Sequence, residues 1–260
     1  MGDYQMVQKE KSKITDLQRS QLWMISLGML NAYCGFSDDY PMILEKYKGI
    51  WKDLQTGNTL IPDIILHGVF EPVYRWQTNE KFNYASKFMK YYFKIFTADD
   101  FHANVKEYVD KSELLQTYTK KRSFLLALTT EERHNCISSA DDSMYRFINH
   151  YETSLLPSGI LAYEISTHVQ MCRLAFYLKY ISREELFSLL QPDVVLAKEH
   201  FSSFREYGLS CLVGLLFFWQ FFSSRHSIHE SRLIELFNWF LKSKTSPWTK
   251  LSWDMVILNE

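Results

Sequence analysis

Apolar side chains recur at three- and four-residue intervals through most of the chain, and nowhere does every-second-residue alternation run long enough for a strand. The first 13 residues are polar and unpatterned, which predicts a flexible N-terminal tail over 1–13. Leu17, Leu22, Ile25, Leu27, Met29 and Leu30 then follow helical spacing behind Thr15, a residue able to cap, so a first helix is expected to end near Asn31. Pro41 opens a second pattern through Ile43, Leu44, Tyr47, Ile50, Trp51 and Leu54, closed by Thr56-Gly57-Asn58. Ile61–Trp76 is crossed by Pro62 and Pro72 and predicts short helices with a bend. Phe82–Phe96 predicts a strongly aromatic helix, several of whose rings must be buried.

Helix starts become regular beyond that point. Thr97 and Asp100, Ser182 and Glu185, Ser203 and Glu206, and Ser227 and Glu230 each place a hydroxyl three residues before an acid. That spacing lets the hydroxyl take an orphan N–H of the first turn while the acid reaches back to the cap. Asp is the shorter acid, so the first of these boxes is expected to be the weakest. Thr129 before Glu131 and Glu132, and Ser158 before a long apolar pattern, mark two more starts. Leu209–Phe222 is the longest apolar run, shorter than the ~20 residues of a bilayer span, and reads as a buried core helix. The expectation is an all-α fold, an irregular multi-helix bundle of about ten helices. Punctuation around Asn149–Ser158 suggests an N-terminal helical lobe over 14–150 and a C-terminal lobe over 151–260, joined as one continuous domain.

Composition narrows the classes. With 260 residues, 47% apolar and 16% aromatic, the chain can bury a sizeable core. A formal net charge of −1 gives no excess of positive charge for general phosphate binding, so nucleic acid is not the expected partner. Nine Gly and six Pro are few for hairpins or glycine-rich phosphate loops, and neither a dinucleotide nor a nucleoside-triphosphate fingerprint occurs. Cys34, Cys136, Cys172 and Cys211 are scattered and read as reduced core residues. No secretory signal is visible, and the cytoplasm is the expected compartment.

Candidate chemistry is sparse. On the helix expected from Ser158 to Tyr180, Glu164 and His168 are four residues apart on an otherwise apolar face, with Ser166, Gln170 and Arg173 opposite. An acid and an imidazole withdrawn from water serve either as an acid/base or one-metal site or as a satisfied buried hydrogen bond, and the second is favoured. His226 and His229 have a spacing compatible with two metal ligands but lack a third and fourth, so they read as a solvated helix entry. His67 with Glu71, adjacent Asp141 and Asp142, and Lys120-Lys121-Arg122 are weaker still. The last is read as a solvated helix start. No nucleophile elbow or Cys/His arrangement is recognisable, and no cofactor is expected. Pro247 stops the preceding amphipathic helix, after which Trp248 and Trp253 either close the core or anchor a partner.

The C-terminal half carries Tyr163-Glu164, Cys172-Arg173-Leu174-Ala175, Tyr180-Ile181-Ser182-Arg183-Glu184-Glu185, Phe201-Ser202-Ser203-Phe204, Gly208, Gly214, Trp219 and Ser246-Pro247-Trp248 before Leu251-Ser252-Trp253. This resembles the bacterial domain-of-unknown-function family twelve-sixty-six, the YbeR- and YbeU-like proteins, over about Ser158–Trp253, with fainter echoes at Gln21–Gly28 and Tyr92–Phe101. Where that family has Trp-Asp with Arg three residues on, this chain has Tyr163, Glu164 and Thr167. The resemblance implies an α-helical bacterial protein and no known reaction, and its relatives look like accessory proteins near toxin and secretion genes. The expected function is a non-catalytic protein-binding module of immunity or accessory type that sequesters a toxin or effector, with Trp248, Trp253 and Arg173 as binding candidates. The alternative is a hydrolase or nuclease around Glu164 and His168.

Overall fold

The computed structural model describes residues 16–30, 85–138, 143–223, 230–244 and 246–258. Among these residues there are ten α-helices and no strand, as the spacing of apolar positions predicts. They are α1 Asp16–Ser26, α2 Ala98–Asn104, α3 Glu113–Ala127, α4 Thr130–Ser138, α5 Ser143–Tyr151, α6 Leu161–Tyr177, α7 Arg183–His200, α8 Phe204–Phe221, α9 Glu230–Lys242 and α10 Pro247–Lys250. The tail over 1–13, the patterns from Ile43 to Trp76, Ser227 of the Ser227–Glu230 pair, Cys34, Asp141 and Asp142 lie outside the described residues.

Helix α6 is the axis of the fold. Every residue from Leu161 to Ala175 is buried, so the helix has no solvent face, and Ser166, Gln170 and Arg173 lie inside with the apolar residues. The division into an apolar and an opposite polar side is thereby corrected. A helix enclosed on all sides need not be amphipathic, because each stripe meets a different neighbour. Helices α7 and α8 pack along it most extensively; α1 lies against α7 and α10, α9 against α8, and α3, α4 and α5 form a second group that reaches α8 through α5 and through Tyr118 of α3, whose ring meets Phe217. The α6–α8 contact is very close at Gly214, where an added Cβ would stand 2.2 Å from Tyr163 Cβ.

The helix starts follow the hydroxyl–acid signals unevenly. Thr97 and Asp100 form a complete reciprocal box despite the shorter acid, with Asp100 N–H donating to Thr97 Oγ1 at 3.1 Å and Thr97 N–H to Asp100 Oδ2 at 3.0 Å. Thr129 and Glu132 form another. Ser182 and Ser203 each accept from the N–H three residues on, but Glu206 turns to Ser202 instead of its own cap. Ser158 does not cap. The chain makes a turn at Gly159 with φ +57°, and α6 begins at Leu161 without a side-chain cap.

Arg122 holds that turn. Its Nε and Nη2 bond the two oxygens of Glu152 at 2.8 and 3.1 Å, and Nη1 donates to the carbonyls of Leu156 and Pro157 at 3.0 and 2.7 Å. The basic run Lys120-Lys121-Arg122 is therefore the middle of α3, with Arg122 buried and Lys121 over the Tyr145 ring at 4.4 Å, which corrects the solvated helix start.

Two aromatic regions diverge from each other. Trp23, Phe204, Trp248 and Trp253 pack ring against ring around the α1–α8 junction. The Phe82–Phe96 stretch, described from Ala85, leaves α geometry at a π-helical turn, Met89–Phe93. Tyr91 and Tyr92 stand exposed there and Phe96 just beyond it, so fewer of the stretch's rings are buried than expected. Among the described residues no helix is long and apolar enough to cross a membrane.

Candidate functional site

The polar residues of α6 face three different neighbours. At its first turns, Glu164 is buried and receives a hydrogen bond from the Ser112 hydroxyl, whose oxygen also caps α3 by accepting from Leu115 N–H at 3.1 Å. Burial pushes the Glu164 carboxyl up to about 7, and the Ser112 bond opposes only part of that rise. Tyr108 lies beside it as a neutral phenol, its ionisation pushed far upward by burial and by the Glu164 charge.

One turn on, His168 engages a separate set. Its Nδ1 is 2.6 Å from Asp193 Oδ2 and its Nε2 is 3.0 Å from the Val105 carbonyl oxygen, while the Cys172 sulfur is 3.7 Å from Nε2. The Tyr108 ring stacks over the imidazole with centroids 6.0 Å apart. A carbonyl can only accept, so Nε2 carries a proton. The Nδ1–Asp193 contact then needs a second proton, held on either atom, and both placements leave the dyad with no net charge. Burial opposes a charge on His168, while the Asp193 carboxylate bonded to Nδ1 favours one, and the imidazole lies above its ordinary value. Burial likewise raises Asp193, so the shared proton stays on the pair at neutral pH. Cys172 is fully buried and its thiol is pushed up by that burial, so it stays protonated.

Glu164 and His168 thus share a face but not a hydrogen bond. Asp193, the decisive partner, is absent from the sequence-derived candidates. Its signal is present all the same: Leu186, Leu190, Val194 and Ala197 form the buried stripe of α7, and Asp193 falls on it at three residues after Leu190 and four before Ala197. Pro192 conceals it, because an interior proline argues against a continuous helix there. Ser112 was hidden differently, since no acid follows it at the capping-box distance.

The other candidates sit elsewhere. Trp248 and Trp253 are core residues, their indole N–H groups donating to the Ser26 and Phe201 carbonyls at 3.1 and 2.9 Å. Arg173 is completely buried in α6. None of the three offers a surface contact as the chain is folded. His226 and His229, like His67 and Glu71, lie outside the described residues. Among the described residues no group of three or more His, Cys, Asp or Glu side chains could hold a metal ion.

Fold and site together define an all-α protein built around a central helix whose acid and imidazole are matched by groups of the same chain. The chain belongs to the DUF1266 family, described as a protein of unknown function, whose model matches residues 76–253. The match reaches further toward the N-terminus than the Ser158–Trp253 resemblance and takes in the π-helical turn and α2–α5 as well. No curated protein and no solved structure matches the chain.

Proposed function

We propose that this chain is a non-catalytic helical module that binds another protein, of the kind that holds a bacterial toxin or effector inactive. One observation carries the reading: the acid and imidazole on α6 are turned inward and engaged by Ser112, Asp193 and the Val105 carbonyl, with Glu164 only 2% and His168 6% exposed. A general base must reach the proton it removes, and neither group has a free path to a substrate. Cys172, His168 and Asp193 do stand in thiol–imidazole–carboxylate order. Yet Nε2, the nitrogen that would take the thiol proton, is spent on the Val105 carbonyl, and the thiol stays protonated. The alternative, a hydrolase or nuclease around Glu164 and His168, is disfavoured on the same grounds.

The test is affinity capture on the full chain from its native host, followed by size-exclusion chromatography of any complex and assays with ester, phosphodiester and glycoside substrates. The expected result is one partner co-eluting in fixed stoichiometry, retained by Glu164→Gln protein. Turnover that Glu164→Gln abolishes, with no stoichiometric partner, overturns the reading.

A further inference from the structure

Among the described residues, the π-helical turn and its flanks gather exposed rings and cations on one short stretch of surface. Between Ala85 and Thr97 the chain carries Lys87, Lys90 and Lys94 and no acid. Tyr91 is 62%, Tyr92 43% and Phe96 57% exposed, three open rings within six residues. Their exposure is built in. A π turn holds one residue more than an α turn, so with Met89 and Ile95 both sunk in the core Tyr91 and Tyr92 are turned outward while Phe93 packs against the core.

The backbone there is pinned on both sides. Lys94 takes a left-handed conformation, φ 58°, and its N–H together with that of Ile95 returns to the Met89 carbonyl. Phe96 N–H donates to Asp100 Oδ2 at 3.1 Å. Tyr92 stacks on Phe88 at 4.3 Å, and the Lys90 ammonium lies 5.8 Å from the Tyr91 ring centre and 5.4 Å from that of Phe96. Aromatic side chains held in advance lose little freedom on binding, and such residues dominate interface energies.

We infer that this turn is the docking site for an acidic segment of a partner protein, its carboxylates meeting Lys87, Lys90 and Lys94 while an apolar side chain seats among Tyr91, Tyr92 and Phe96. The inference rests on the binding-module reading and names the partner's chemistry. Charge complementarity selects an acidic occupant. Width selects a protein segment over an anionic bilayer: Asp99 and Asp100 follow directly after Phe96 in the first turn of α2, and a flat anionic surface would press against them where a single strand or helix need not.

The probe is a fluorescein-labelled peptide of alternating glutamate and leucine, titrated into the full chain by anisotropy, with a lysine–leucine peptide as control. Vesicles containing phosphatidylserine and light scattering of the free chain run in parallel. The glutamate peptide is expected to bind, to weaken as salt rises, and to lose about tenfold or more in affinity with Lys87→Glu/Lys90→Glu and with Tyr91→Ala/Phe96→Ala. Both variants change exposed side chains and should retain the wild-type melting temperature. The Lys87→Glu/Lys90→Glu protein should instead take the lysine peptide. Absent peptide binding, binding indifferent to both variants, or vesicle binding or self-association that the variants abolish would each overturn the inference. A native partner that the variants still capture in fixed stoichiometry would refute this docking site while leaving the binding-module reading intact.

Discussion

Replacing Glu164 with Gln should stabilise the protein, and only above the pH at which the unfolded acid ionises. The carboxyl moves from 4.5 to about 7 on folding because it is buried, and it is enclosed enough that solvent screening takes little from the effect. At ~1.4 kcal/mol for each tenfold change in proton affinity, the folded state gives up roughly 3 kcal/mol by ionising it. The sign follows from proton counts. Between about pH 4.5 and 7 the folded state holds a proton that the unfolded chain has released, so stability is fully present below 4.5 and is lost as pH rises through 7. Gln mimics the protonated acid and can still bond the Ser112 hydroxyl, yet it never ionises. Urea unfolding of both proteins at intervals from pH 4 to 8.5 isolates the effect, since other titrating groups cancel in the difference. The Glu164→Gln gain should be near zero at pH 4 and approach about 3 kcal/mol above pH 7. A gain independent of pH, or a variant less stable than wild type at pH 8, would refute the assignment of Glu164 to a sealed site.

Two further substitutions test the frame around the site. Gly214→Ala places a methyl group against Tyr163 Cβ, an atom that cannot move without shifting α6. An overpacking cost of about 3 kcal/mol, less roughly 1 kcal/mol of helix propensity gained, should leave a net loss of about 2 kcal/mol in urea unfolding, and a stabilised variant would contradict the close approach. Arg122→Lys keeps the charge but cannot reach both Glu152 oxygens and two carbonyls at once. It should cost about 2 kcal/mol, read as a fall in melting temperature, and should show measurable coupling to Glu152→Gln in a double-mutant cycle.

How legible the molecule was depends on the kind of signal. Local chemistry reads directly: Thr97, Thr129, Ser182 and Ser203 cap the helices they precede, because a hydroxyl needs only the next turn as its partner. Properties fixed by distant neighbours read poorly. Ser166 and Arg173 looked like a wet face of α6, and burial arrives from helices that the spacing within α6 cannot reveal. Trp248 and Trp253 illustrate the same limit from the other direction, since a tryptophan in a terminal coil fits a core plug or a surface anchor equally well until Ser26 and Phe201 supply acceptors for its N–H. The candidate pair was half legible. His168 was found from its apolar face, but its partner is Asp193 on a different helix rather than Glu164 on its own. The aromatic stretch before Thr97 misled because a π turn obeys neither the α spacing nor the inference that rings belong inside.

Glu164 and His168 are internal to the fold and matched by groups of the same chain. Nitrogen-15 resonances of the His168 ring, followed from pH 5 to 8 in the full chain, report on that enclosure. The ring should be protonated at Nε2 and bonded through a slowly exchanging, far-downfield proton to Asp193, with no titration across that range. A midpoint near 6.5 with rapid proton exchange would mean that water reaches the imidazole, and the case for a sealed, non-catalytic centre would fall with it.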